Sequence, residues 1–217
     1  MPKLILKGVI RMTSLTLERS IPLVEDIKRE WGEKSYPIWL LVNPKHPSVR
    51  HNIWTPILSE VQDKVYREIH TRVDTTNMYI RNVVSDCRVV PNTLNWWDAE
   101  VATEIEIFRE LVLKHKPKIL ISFGAFPFEF LRRVLEIKPE KGPKYWGNCY
   151  LGDEFVKAIE NFDSSETNML PLLRRVITSG KFIEDLDCIG DNYFHYIGTK
   201  IAEKLIENRD SFNIWID

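Results

Sequence analysis

Four polar positions stand at or near the ends of apolar runs in this sequence, where a side chain can face a ligand instead of a core. Asn43-Pro44 closes PIWLLV and Asn82 sits inside MYIRNVV. Gly124-Ala125 follows KILISF, and Arg174-Arg175 follows MLPLL, with Thr178, Ser179, Gly180 and Lys181 behind it. A carboxamide donates and accepts hydrogen bonds, so Asn43 and Asn82 can hold a water or read the polar edge of a planar ligand. A Gly-Ala pair before a helix start lets a ligand approach the backbone closely. Arginine is a permanent cation with a planar donor fork, suited to a phosphate or to an oxygen that gains negative charge. Each position also has an ordinary reading, because Asn-Pro and Gly are common in turns. That reading is weakest for Asn82, since an amide within an apolar strand must find hydrogen bonds or cost about 1–3 kcal/mol.

The elements that must position these residues can be read from periodicity. Residues 37–42, 78–84, 118–123 and 169–173 are short apolar segments, the pattern of strands buried on both faces. Ser59-x-x-Gln62 resembles a capping box for a helix with Val61, Val65 and Ile69 on one face. Asp98 can cap a second helix, with Val101, Ile105, Phe108 and Val112 as its stripe and KHKPK as its end. A third starts near Ala125 or Phe126, with Phe130, Leu131 and Val134 inward and Arg132 and Arg133 outward. The last carries Phe194, Ile197, Ile201 and Leu205. Residues 138–150 and 161–168 read as loops. This alternation predicts a single α/β domain over residues 1–217, with three-layer α/β/α architecture and a central, mostly parallel four-stranded sheet. An N-terminal segment, 1–36, with a helix around Pro22–Trp31, is expected to pack on a core of residues 37–208. Open sheets of this kind bind ligands beyond the carboxyl ends of their strands, so all four polar positions fall on one rim.

Thirty Lys and Arg against thirty-one Asp and Glu leave a net charge of -1, so contact with nucleic acid must come from a local patch. Lys114, Lys116, Lys118, Arg132, Arg133, Lys138, Lys141 and Lys144 outnumber Glu129, Glu136 and Glu140 between residues 111 and 144. That run reads as a phosphate-facing surface or as a solvated face. Cys87, Cys149 and Cys188 are far apart and unpaired in spacing, which argues against a disulfide framework, zinc or an iron-sulfur cluster. No cofactor or metal is expected. MPKLILKGVIRM is too short an apolar stretch for a membrane span and has no evident cleavage site, so a cytoplasmic protein without a membrane or obligate protein partner is the expectation.

MYIRNVVSDCR, then the acidic EVATEIEIFRELV, then KPKILISFGAFPFEFL resembles the central block of the uracil-DNA glycosylase superfamily. Asn43-Pro44 stands where mismatch-specific members carry Asn-Pro in their first motif, and NYFHYIG is similar to the start of the final helix. The resemblance implies a DNA partner and hydrolysis of the N-glycosidic bond of uracil or another deaminated base, flipped out of the duplex into a pocket. It further implies that Asn43 orients the attacking water and Asn82 pairs with the base edge. Pro44, Gly124 and an aromatic residue, with Trp54, Trp96 and Trp97 as candidates, would line the base site.

The departures are as specific as the matches. The superfamily's second motif, His-Pro-Ser after the fourth strand, is replaced here by Arg174-Arg175-Val176-Ile177. His46-Pro47-Ser48 copies those letters but follows the first strand. Leu41 and Lys45 stand where the first motif carries glycines, and Cys87 lacks the partners of a cluster ligand. Arg174 either stabilises charge on the departing base or binds a phosphate, with Arg175, Ser179 and Lys181 as further DNA contacts. The alternatives are a member that binds a base, nucleotide or nucleic acid without cleaving it, and an unrelated flavodoxin-like protein with a phosphate at Gly124.

Overall fold

The computed structural model describes residues 30–43, 51–84, 99–174, 182–183 and 191–216. Strand β1 (Glu30–Trp31) precedes β2 (Ile38–Val42), and helix α1 (His51–Ile69) leads to β3 (Arg72–Val73) and β4 (Tyr79–Asn82). Helix α2 (Ala99–His115), β5 (Ile119–Phe123), α3 (Ala125–Val134), α4 (Asn148–Glu160) and β6 (Asn168–Leu172) follow, before α5 (Asp191–Glu207) and β7 (Trp215–Ile216). The protein is α/β with a mixed five-stranded sheet in the order β1-β4-β2-β5-β6. Four of these strands are mutually parallel, and β1 joins the β4 edge antiparallel.

All five residues of β2 and all five of β5 are buried, which is why these runs are apolar without alternation. Ile38, Leu40 and Val42 enter one core with residues of α1, α4 and α5. Trp39 and Leu41 enter a second with Val101, Ile105, Phe108 and Val112 of α2 and Phe130, Leu131 and Val134 of α3. Trp39 packs its ring 4.6 Å from Tyr79 and 5.7 Å from Phe108. Full burial of one such side chain stabilises by about 1.5–3 kcal/mol, so the central strands anchor both layers. Pro171 lacks an N–H to donate, and it lies in β6, the edge strand, where that donor is not needed by a further neighbour.

Several elements differ from the sequence expectation. Helix α1 begins at His51, so Ser59 is no cap: its hydroxyl donates to Thr55 O at 2.9 Å within the helix. Pro56 sits in the second turn, where it forfeits a helix hydrogen bond; buried Ile53, Trp54 and Ile57 outweigh that loss through packing. Gln62 uses its amide to bridge to β3, donating to Val73 O at 2.6 Å and accepting from Val73 N at 2.9 Å. Residues 148–160, partly within the expected 138–150 loop, form α4, whose Leu151, Phe155 and Ile159 recur every four residues and are buried. At the N-terminal side, Glu30 and Trp31 are strand and not the end of a helix, while the rest of the expected helix lies outside the described residues. Phe212 and Ile214 join the first core, and β7 pairs with β3, so packing extends past residue 208.

Arg132 and Arg133 were expected to look outward. Arg132 is buried and Arg133 half-buried because Glu129, one turn earlier, is fully buried and draws both guanidinium groups in. Glu129 accepts from Arg133 Nε at 3.0 Å, Lys141 N at 2.8 Å and Trp146 Nε1 at 2.8 Å. A buried carboxylate thus ties the chain after α3 back onto the helix. Two cations of the basic run are consumed in doing so, and Lys118 Nζ is bound to Ser164 O at 2.9 Å. Glu129→Ala is expected to lower the unfolding free energy by about 3–5 kcal/mol, because it leaves buried donors uncompensated; urea denaturation followed by circular dichroism measures this.

Candidate functional site

The parallel register sets where each strand delivers its last residue. Val42 pairs with Asn82 across β2 and β4, Leu41 with Ser122 across β2 and β5, and Phe123 with Leu172 across β5 and β6. Val83 N donates to Val42 O at 2.9 Å and Gly124 N to Leu172 O at 2.7 Å, so pairing continues to the very rim. Asn43, Asn82, Gly124 and Arg174 therefore lie along one edge. Helices α1 and α2 cover opposite faces, and the chain leaves β2 toward β4 on one side and reaches β5 on the other. The switch point is between β2 and β5, flanked by Asn43 and Gly124, the place where open α/β sheets form a ligand crevice.

Along this edge the four positions are not equally close. Asn82 pairs with Val42, so Asn43 stands one residue past that register at the end of the adjacent strand, about 4.8 Å away across the sheet. Continued alternation along β2 gives Asn43 the face of Leu41 and not that of Asn82. Asn82 and Arg174 are separated by three spacings, on the order of 14 Å. Arg174 instead meets Gly124. Gly124 has φ 100° and ψ 171°, a region that is essentially restricted to glycine, and a Cβ there would lie 3.1 Å from the Arg174 Cβ. The close approach expected at Gly124 is therefore made by the stem of Arg174. Pro44, Arg175, Ser179, Lys181, Cys87, Trp96, Trp97 and the His46-Pro47-Ser48 triplet lie outside the described residues.

Both asparagines are buried, and Asn82 Oδ1 has no hydrogen-bond partner among the described residues. Ser122 Oγ, a position the sequence reading passed over, is in the same condition, although a hydroxyl inside ILISF carries the same signal as an amide inside MYIRNVV. Alternation along β4 puts Asn82 on the face of Ile80. Ile80 lines a groove of about 490 Å³ with Trp54, Thr55, Leu58, Ser59, Gln62, Thr75 and Met78. Trp54 is buried against the first core and forms a wall of this groove. A second cavity, about 410 Å³, lies away from the rim between α2 and the end of α3, where Arg109, Arg133, Glu106 and Glu136 line it.

The opposite face of β4 is held by charge. Arg81, buried in the strand, donates from Nη2 to Glu104 Oε2 of α2 at 2.9 Å and covers the Phe108 ring at 5.0 Å. Tyr79 Oη donates to Glu30 Oε2 at 2.6 Å, and Lys34 pairs with Glu30 at 2.7 Å. Burial alone would raise the Glu30 carboxyl, but hydrogen bonds from Lys34 and Tyr79 and the charges of Lys34 and Arg81 outweigh it and hold the carboxyl below its ordinary value. Burial, reinforced by the bond to Glu30, pushes the Tyr79 phenol well above its usual range. This network fixes the strand that carries Asn82.

Among the described residues, no three His, Cys, Asp or Glu side chains converge as metal ligands, and no helix is long and apolar enough to cross a membrane. No family model, curated protein or solved structure matches the chain. The functional reading therefore rests on the geometry of this edge and the residue pattern that supplies it.

Two outcomes follow. Gly124→Ala forces a β-carbon into a glycine-only conformation and against Arg174, so thermal or urea denaturation should show a loss of about 1–3 kcal/mol. The Glu30 carboxyl, lowered in the fold, stabilises it above the ordinary glutamate range, and that contribution disappears as pH falls through the folded value. Glu30→Gln should thus unfold at lower urea than the parent at about pH 7, with the difference narrowing toward about pH 3.

Proposed function

We propose that the carboxyl edge of this sheet accepts a nucleobase extruded from DNA, Asn82 reading its amide edge and Asn43 holding the water that hydrolyses the N-glycosidic bond. The observation that carries this reading is the buried, unsatisfied Oδ1 of Asn82, one strand away from Asn43. A buried acceptor left unpaired costs about 1–3 kcal/mol, a debt that a ligand N–H repays on binding. A side-chain amide offers an acceptor and a donor side by side, complementary to the N–H and C=O edge of uracil. The groove along Trp54 and Ile80 supplies an apolar wall on the same strand face. The parallel set β4-β2-β5-β6 with helices on both faces supports the three-layer α/β/α arrangement that the likeness to the uracil-DNA glycosylase superfamily implies.

A second reading, binding without cleavage, draws on one observation. Arg174 stands in the second-motif position, but it is three strands from Asn82 and packs on Gly124. From there its guanidinium is better suited to a phosphate beside the base than to the oxygen of the departing ring.

Incubation with single- and double-stranded oligonucleotides bearing uracil, hypoxanthine or xanthine, scored for abasic sites, separates these. Cleavage that falls by about 100-fold or more in Asn43→Ala supports the water-holding role, whereas activity unchanged by that substitution removes it. Selective binding without abasic sites, lost in Asn82→Ala, supports the second reading.

A further inference from the structure

We infer that Tyr145 and Tyr150, with Lys141 and Lys144, form a platform on which the bases of a single-stranded nucleic acid stack beside the rim of the sheet. The two tyrosine rings lie parallel, 4.9 Å apart with 10° between their planes. They are nevertheless 42% and 50% exposed. Scattered surface aromatics are ordinary, but a stacked pair turned to solvent is a preformed surface for a third flat ring.

The pair is held rigidly. Trp146 is buried, donates to Glu129, and meets Tyr145 at 4.9 Å and Phe128 at 4.7 Å, each ring edge to face. Phe128 N in turn donates to Gly124 O, so consecutive contacts run from the Gly124 turn to the platform.

The surrounding charge selects the partner. Lys141 Nζ lies 4.5 Å over the Tyr145 ring, and Lys144 is exposed. Neither has a carboxylate partner among the described residues. Two nearby carboxylates are already engaged, Glu140 with Arg133 and Lys138 and Glu154 with Lys157, while Asp153 is exposed on the same helix as Tyr150. Lys141 already caps the Tyr145 ring, so the outer face of Tyr150 and the exposed Lys144 are what remain for a polyanion whose own aromatic faces are accessible. A single strand has both properties, whereas a duplex hides its faces and a proline-rich peptide lacks the charge. The inference deepens the nucleobase reading, on which it rests for the class of partner, by naming what holds the strand next to the extruded base.

Fluorescence anisotropy of a labelled twelve-residue oligothymidylate with the full chain tests it. Tyr150→Leu should weaken binding about 5- to 100-fold and Tyr150→Phe less than about twofold, because stacking needs the ring and not the hydroxyl. Lys144→Glu, at an exposed position, should weaken binding and flatten its salt dependence, and serves independently should Tyr150→Leu disturb the circular dichroism spectrum. Unchanged affinity in these variants, or absence of binding by the parent, overturns the platform. So does an equal loss toward heparin, which has charge and no bases, or Tyr150-dependent capture of a proline-rich peptide with the oligonucleotide unaffected. Replacing one thymine by uracil separates the two proposals. If the parent ignores the replacement but Tyr150→Leu weakens both strands alike, the platform stands and the base reading fails; uracil selectivity with a neutral Tyr150→Leu gives the reverse.

Discussion

Helical crossovers between parallel strands cover both faces of the sheet, and this constraint organises the molecule. Strands β2 and β5 are covered above and below, so their side chains are apolar but for Ser122, whose hydroxyl is buried without a hydrogen-bond partner among the described residues. The slanted hydrogen bonds of the ladder fix a register in which four carboxyl ends finish at one level. A rim carrying two amides, a glycine and an arginine is a direct consequence of that register. Slipping one strand by a residue would exchange the two cores' side chains and remove Asn82 from the face of Ile80.

Buried charge then decides where the covering pieces sit. Arg81 and Glu104 join β4 to α2, and Glu129 joins α3 to the segment that follows it. Such pairs add little net stability over apolar packing, but leaving either member alone is costly, so they discriminate strongly between arrangements. Glu129 draws Lys141 N and Trp146 onto α3, next to the exposed Tyr145. A structural carboxylate and an exposed aromatic surface are thus parts of one local arrangement.

Distance along the rim separates reading from holding. Asn43 and Asn82 stand at the ends of adjacent strands, while Arg174 lies beside Gly124, three strand spacings from Asn82. Chemistry that needs a cation at the base itself would require Arg174 to extend across two strand ends. On the function proposed above, recognition would then fall to neutral amides, with charge directed to the nucleic-acid backbone.

Much of this organisation was legible from residue order, for physical reasons that differ by element. The four parallel strands declared themselves because burial on both faces keeps them mostly apolar, and Asn82 stood out against that pattern, as Arg81, Ser122 and Asn168 also do. Helix α2 was legible because Val101, Ile105, Phe108 and Val112 repeat on one face. Helix α4 carried a similar repeat in Leu151, Phe155 and Ile159, but it began within a Pro/Gly-rich stretch that reads as loop. The start of α1 was hidden by Pro56, whose local cost is repaid only by contacts with distant residues. The inward turn of Arg132 and Arg133, the antiparallel β1 and the pairing of β7 with β3 depend on partners remote in sequence. Local pattern, then, determined which segments are strand or helix and which polar groups are out of place, since those follow from propensity and burial along the chain. Only the tertiary structure decided that Asn43 neighbours Asn82 while Arg174 does not, because strand order is set by crossover connections and packing, and no local periodicity encodes it.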